Sequence, residues 1–93
     1  MHYYLVSLLK SPLSPLKYSS HEPLLLGTLA HITLNGKEVQ GVIVEEVTKP
    51  SFECSPILFT CKTFYPSKTI ELARFIAEYY VCSLGEALAL FTP

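Results

Sequence analysis

Aspartate is absent from this 93-residue chain, so all eight acidic side chains are glutamates, and no two of them fall in an acid–base or metal-binding motif. Glycine is scarce as well. Gly27, Gly36, Gly41 and Gly85 are the whole supply, and they build neither a G-x-x-x-x-G-K-[ST] phosphate loop nor a G-x-G-x-x-G dinucleotide turn. A G-x-S-x-G nucleophile elbow and an H-E-x-x-H zinc helix are also missing. The cysteines are Cys54, Cys61 and Cys82, an odd number without a C-x-x-C pair. That count fits neither a disulfide framework nor a zinc site, and implies free thiols in a reducing compartment. His2, His21 and His31 stand at no ligand spacing from a cysteine or from one another. His31 on a strand and Cys61 beside Lys62 have the setting of an ordinary side chain rather than of a catalyst. No apolar run approaches the ~20 residues that span a bilayer. The first one begins at Tyr3 without a basic leader, so a soluble, cytoplasmic chain with no signal peptide is expected. These absences exclude a self-contained enzyme.

Charge is sparse too. Charged residues are 16% of the chain and the net charge is −1, against about 25% charged residues in an ordinary domain. Seven lysines and arginines suffice for a few phosphate contacts and not for a stripe that tracks a long DNA backbone. Core material, by contrast, is plentiful, at 49% hydrophobic and 12% aromatic residues. A length of 93 residues makes one domain, 1–93. The apolar excess implies that part of its surface is normally covered by another domain, a partner or a second copy.

His2 to Leu9 has the Tyr, Val and Leu content of a buried strand, followed by a loop around Pro12 and Pro15. Leu16-Lys17-Tyr18 alternates. From Gly27 to Leu34, Ala30, Ile32 and Leu34 share one face and Leu29, His31 and Thr33 the other. Asn35-Gly36 is a strong hairpin signal, because a type I′ turn needs positive φ at both central positions. The return arm runs from Lys37 to Val47. Gly41 within it marks a bulge or a close approach, and Val42-Ile43-Val44 implies cover on both sides. Ile57-Leu58-Phe59 is a further short strand. Ser67 is placed as the N-cap of a helix whose Lys68, Glu71, Arg74 and Glu78 form a polar stripe. The apolar remainder, Tyr79 and Tyr80 included, is expected to be mostly buried. Ser83-Leu84-Gly85-Glu86 has capping-box spacing and opens a second short helix through Leu90, with Thr92-Pro93 as a domain boundary. Strands followed by helices give an α+β fold: a small curled antiparallel sheet or β-barrel with two short C-terminal helices packed on one side.

Several of these pieces, taken together, carry a family resemblance. Ala77-Glu78-Tyr79-Tyr80 with Ser83-Leu84-Gly85-Glu86-Ala87-Leu88 resembles A-[DE]-Y-Y followed by [IL]-G-[DE]-x-L. Leu34-Asn35-Gly36-Lys37 with Gly41-Val42-Ile43-Val44 is similar to P-F-G-[RK] and G-[IV]-V. Leu16-Lys17-Tyr18 falls at an F-[DT]-Y triplet. In this order and at these spacings they resemble the N-terminal, 3′ DNA-binding domain of the bacterial replication-restart helicases of the PriA (primosomal protein N prime) family.

That resemblance implies a non-catalytic leading domain of a longer ATP-dependent 3′-to-5′ DNA helicase. ATP and zinc would belong to the rest of that chain, and this domain would need no cofactor. Its ligand would be fork DNA with a free 3′ end, captured in a site built from Leu16, Lys17, Tyr18, Gly36 and Lys37. Its other partners would be the remaining helicase domains and, through the parent, single-strand-binding protein and primosome proteins. A pocket for one terminal nucleotide needs few cations, in keeping with the sparse charge. The chain departs from the pattern at Lys17, where the family often has an aspartate able to accept from the 3′-hydroxyl; a lysine cannot accept that bond. Leu16 replaces an aromatic, and Glu53-Cys54-Ser55 falls where a basic residue is usual. The alternative is a docking module of the same helicase without end-specific DNA binding.

Overall fold

A computed structural model describes residues 1–91; the Thr92-Pro93 boundary lies outside the described residues. The elements are β1 (His2–Leu8), β2 (Leu16–Ser20), β3 (Thr28–Leu34), β4 (Lys37–Val47), β5 (Phe59–Phe64), α1 (Ser67–Tyr80) and α2 (Leu84–Leu88). The strands form one antiparallel sheet in the order β2-β1-β4-β3-β5. The Asn35-Gly36 hairpin joins β3 to β4 with φ of 52° and 79°, and Leu34 pairs with Lys37 at its neck.

Strand β4 sits at the centre of the sheet, and its Val42, Ile43 and Val44 are all buried. Ile43 joins a cluster inside the curl with Tyr4, Val6, Leu8, Tyr18, Ala30 and Ile32. Val42 and Val44 face the other way, into a second core with Leu29, Tyr65 and the helices. The sheet is thus sandwiched between two apolar clusters, as its three consecutive β-branched residues imply. Gly41 marks a close approach: a Cβ there would lie 2.5 Å from Val6 Cγ1 and 3.1 Å from the Ser7 carbonyl oxygen. The bulge falls three residues later, where Leu5 pairs with Glu45 but Val6 with Ile43, leaving Val44 as the extra residue that bends the strand.

The last strand is displaced from its expected place. The ladder begins at Phe59 and runs on to Phe64, while Ile57 and Leu58 stitch the sheet together. Ser19 donates its N–H to Ser55 (3.0 Å) and accepts from Ile57 (2.8 Å), and Leu58 donates to the His31 carbonyl (2.9 Å). One segment therefore reaches from β2 to β3. The single Ser19–Pro56 bridge does not make a ladder, so the sheet is curled and open rather than a closed barrel.

Helix α1 corrects the sequence expectation at two points. Pro66, extended at φ −59° and ψ 155°, holds the N-cap position without a side-chain bond, and Ser67 is already helical. Only Ile70 and Ala73 are buried; Phe75, Tyr79 and Tyr80 are 63%, 69% and 70% exposed. Apolar residues flank the polar stripe on both sides, and a five-residue α2 is too short to cover more than one flank. Helix α2 starts as its sequence dictates. Ser83 Oγ accepts from the Glu86 N–H and Glu86 Oε1 from the Ser83 N–H, both at 3.0 Å. The helix ends at Leu88 rather than Leu90.

Val81 caps α1 in the left-handed region, at φ 53° and ψ 46°, while 92% exposed. A β-branched residue is strained in that conformation and contributes no burial to offset it. Val81→Gly should stabilise the fold by about 1 kcal/mol and raise Tm by roughly 4–8 °C in a thermal melt. Gly85→Ala should do the opposite, losing about 3 kcal/mol, because a Cβ would overlap the Leu8 carbonyl main chain.

Candidate nucleic-acid interface

Alternation along β2 divides its triplet between the two faces of the sheet. Leu16 and Tyr18 turn into the curl, Leu16 half-buried against the inner cluster and Tyr18 4% exposed. The Tyr18 hydroxyl donates to the Thr33 carbonyl at 3.1 Å, which fastens β2 to the far end of β3. Burial raises the Tyr18 phenol above its ordinary value, as it does for Tyr65. Lys17, between Leu16 and Tyr18, is exposed on the opposite side, beside its pair partner Leu5.

Gly36 and Lys37 are exposed at the hairpin tip. A Cβ on Gly36 would meet nothing within 4 Å, so only its positive φ calls for glycine. The structure therefore joins Tyr18 to the hairpin arm at Thr33, but does not gather Leu16, Lys17, Tyr18, Gly36 and Lys37 around one cavity. Surface hollows of about 480, 530, 400 and 240 Å³ are lined by other residues.

One neighbour of Lys17 is a residue the sequence did not single out. Its ammonium sits 5.6 Å from the centroid of the Phe52 ring, a cation–π arrangement. Phe52 is 57% exposed, in the connection between β4 and β5. That connection is held to β2 by the Ser19–Ser55 bonds. Phe52, Lys49, Tyr3 and Ser19 line the 400 Å³ hollow. An exposed aromatic in a polar Lys-Pro-Ser-Phe-Glu stretch was the available signal.

His31 has a surface structural setting. Its Nδ1 lies 2.9 Å from Glu38 Oε2, its Nε2 3.3 Å from Gln40 Nε2, and its ring stacks on Phe59 at 4.2 Å. The three cysteines are free and partly buried. Among the described residues no three His, Cys or Glu side chains gather as a metal site, and no helix is long and apolar enough to cross a membrane.

The family described as the PriA 3′DNA-binding domain (3′BD) matches residues 6–93. The whole chain is 46% identical over 93 residues to the replication restart protein PriA of Helicobacter pylori strain J99, and 44% identical to that of strain 26695. In each case it covers 100% of this chain and 15% of the relative, so the chain spans about one seventh of the curated relatives' length.

The buried phenols give a pH dependence with a definite sign. A raised folded-state value means that the native state keeps its proton where the unfolded chain loses it. The associated stability is complete below the unfolded value of 10.0 and is lost as pH climbs through the raised folded value. Tyr18→Phe should cost about 1 kcal/mol at neutral pH through the lost bond to Thr33. Its stability should nonetheless fall less steeply above pH 10 than that of the parent protein, as read from urea midpoints across the alkaline range.

Proposed function

Because the chain belongs to the PriA 3′DNA-binding domain family, we propose that it is the non-catalytic module by which a replication-restart helicase holds the 3′ end of the leading strand at a stalled fork. The carrying observation is the family match across residues 6–93. The helicase activity, with ATP and zinc, belongs in this reading to the remainder of a longer parent chain. Contacts with single-strand-binding protein or primosome proteins would be made through that parent.

The sparse charge supports capture of an end rather than of a long duplex. In this reading Lys17 and Lys37 hold phosphate oxygens, and the exposed Gly36 turn leaves its main chain open to the nucleotide. Leu16 and Tyr18 act from beneath, keeping β2 in place against the inner core. With lysine where an acceptor is usual, the 3′-hydroxyl needs another oxygen. Strand β2 is an edge strand with no ladder neighbour on its outer side, and a main-chain carbonyl ahead of Ser19 meets that need.

A second reading, a docking module, has its own support. Phe75 and Tyr79 stack at 6.2 Å and Tyr79 meets Tyr80 edge-on at 4.9 Å, all on the exposed side of α1. The occupant best matched to this face is the rest of the parent chain, since the relatives are several times longer than this domain.

Fluorescence anisotropy with labelled fork DNA separates the two. A leading strand ending in 3′-hydroxyl should bind several-fold tighter than one ending in 3′-phosphate, and Lys17→Ala should weaken both through the lost phosphate contact. Equal, weak and salt-erased binding to both ends would overturn end capture and leave the docking role.

A further inference from the structure

The hollow beside Phe52 has features that end capture by the hairpin and β2 does not use. Its walls carry two aromatic rings, Tyr3 and Phe52, with the exposed Lys49 ammonium and the hydroxyls of Ser19 and Ser51 around them. Lys17 does not line the hollow, yet its ammonium lies 5.6 Å from the centroid of the Phe52 ring, so the ring adjoins both the proposed end-binding lysine and the cavity. We propose that this hollow is a slot for one unpaired nucleobase adjoining the captured 3′ end, stacked on Phe52 with its phosphate held by Lys49.

The chemistry favours a base over other ligands. A base offers a π-face that stacks on an aromatic ring whatever its sequence, and brings its own phosphate for a lysine one reach away. The ring is 57% exposed and belongs to neither apolar cluster, and its connection is tied to β2 at Ser55 and Ile57. The Lys17 ammonium makes the Phe52 ring an element shared between the end-binding lysine and the hollow. Glu53 also lines the hollow. It repels phosphate but accepts from the exocyclic amino group of cytosine, adenine or guanine, which favours those bases over thymine.

The slot rests on the fork-binding reading, and its test is chosen to separate the two. Anisotropy would be measured with forks whose leading strand is intact or carries an abasic residue at the terminal, second or third position from the 3′ end. Phe52→Ala should weaken the intact fork by about tenfold, the worth of one base–aromatic stack. It should have almost no effect on the one abasic fork that already empties the slot, a non-additivity that marks direct contact. Lys49→Ala should lower the slope of log affinity against log salt by about one. Phe52 is exposed, so its variant is expected to melt like the parent, which a thermal scan checks. Equal weakening of intact and abasic forks, or none, with the hydroxyl preference still present, would overturn the slot and leave end capture standing. Coupling between Phe52 and one abasic position without any hydroxyl preference would sustain the slot and overturn end capture.

Discussion

Ser19 gives its N–H to Ser55 and takes the N–H of Ile57, and on these two main-chain bonds the curl of the sheet and the course of the β4–β5 connection depend. A five-stranded sheet of short strands has two edges and, in a chain this small, too little material to cover them with further layers. Curling β2 back toward β3 and clamping the gap with one extended segment addresses both problems. Ile57 packs over the open side of the inner cluster, and the Leu58 bond to His31 fixes the other end of the clamp. The same clamp aims the connection from β4, so Phe52 stands beside Lys17. A fold constraint thereby places the residues of the proposed site.

The opposite face is held by different means. Lys10 donates to the Gly85 carbonyl at 3.1 Å, and the Ser83 hydroxyl donates to Ser11. Residue 85 has no Cβ, so α2 lies directly on the backbone after β1. That contact lets Leu84, Ala87 and Leu88 enter the outer core from a single turn and a half of helix. The consequence is geometric. A helix so short, set so close to the sheet, shields one flank of α1 and leaves Phe75, Tyr79 and Tyr80 in solvent. Part of the apolar surplus visible in the composition thus has a location, on the exposed flank of α1.

What could be seen in the sequence was local chemistry. The Asn35-Gly36 turn, the Ser83–Glu86 capping box, the alternation of β3 and the doubly buried Val42-Ile43-Val44 each follow from neighbours a few residues apart. Their structural forms match those local rules. What could not be seen depends on partners far along the chain. Ile57 and Leu58 have the composition of a strand, but their hydrogen bonds go to Ser19 and His31, so the ladder starts later. The exposure of Tyr79 and Tyr80 is set by the length and placement of α2, which periodicity in α1 does not encode. At the site, Lys17 and the hairpin were legible as motif positions. Phe52 had only the weak signal of an aromatic in a polar stretch, because its approach to Lys17 joins residues far apart in the sequence.

Sparse charge and a fixed platform point the same way. A protein that binds DNA through many phosphate contacts gains affinity everywhere along the backbone and distinguishes an end poorly. With seven cations in the whole chain and a net charge of −1, that general attraction is weak. In the proposed reading the binding energy comes from features that occur once per fork: a terminal hydroxyl and an unstacked base. Both demand shape more than charge, and shape is what the clamp at Ser19, the Tyr18 anchor to Thr33 and the pinned Phe52 connection supply. In the same reading, Lys17 in place of an acidic acceptor adds a cation for the terminal phosphodiester and leaves the hydroxyl to main-chain oxygens that the edge strand presents.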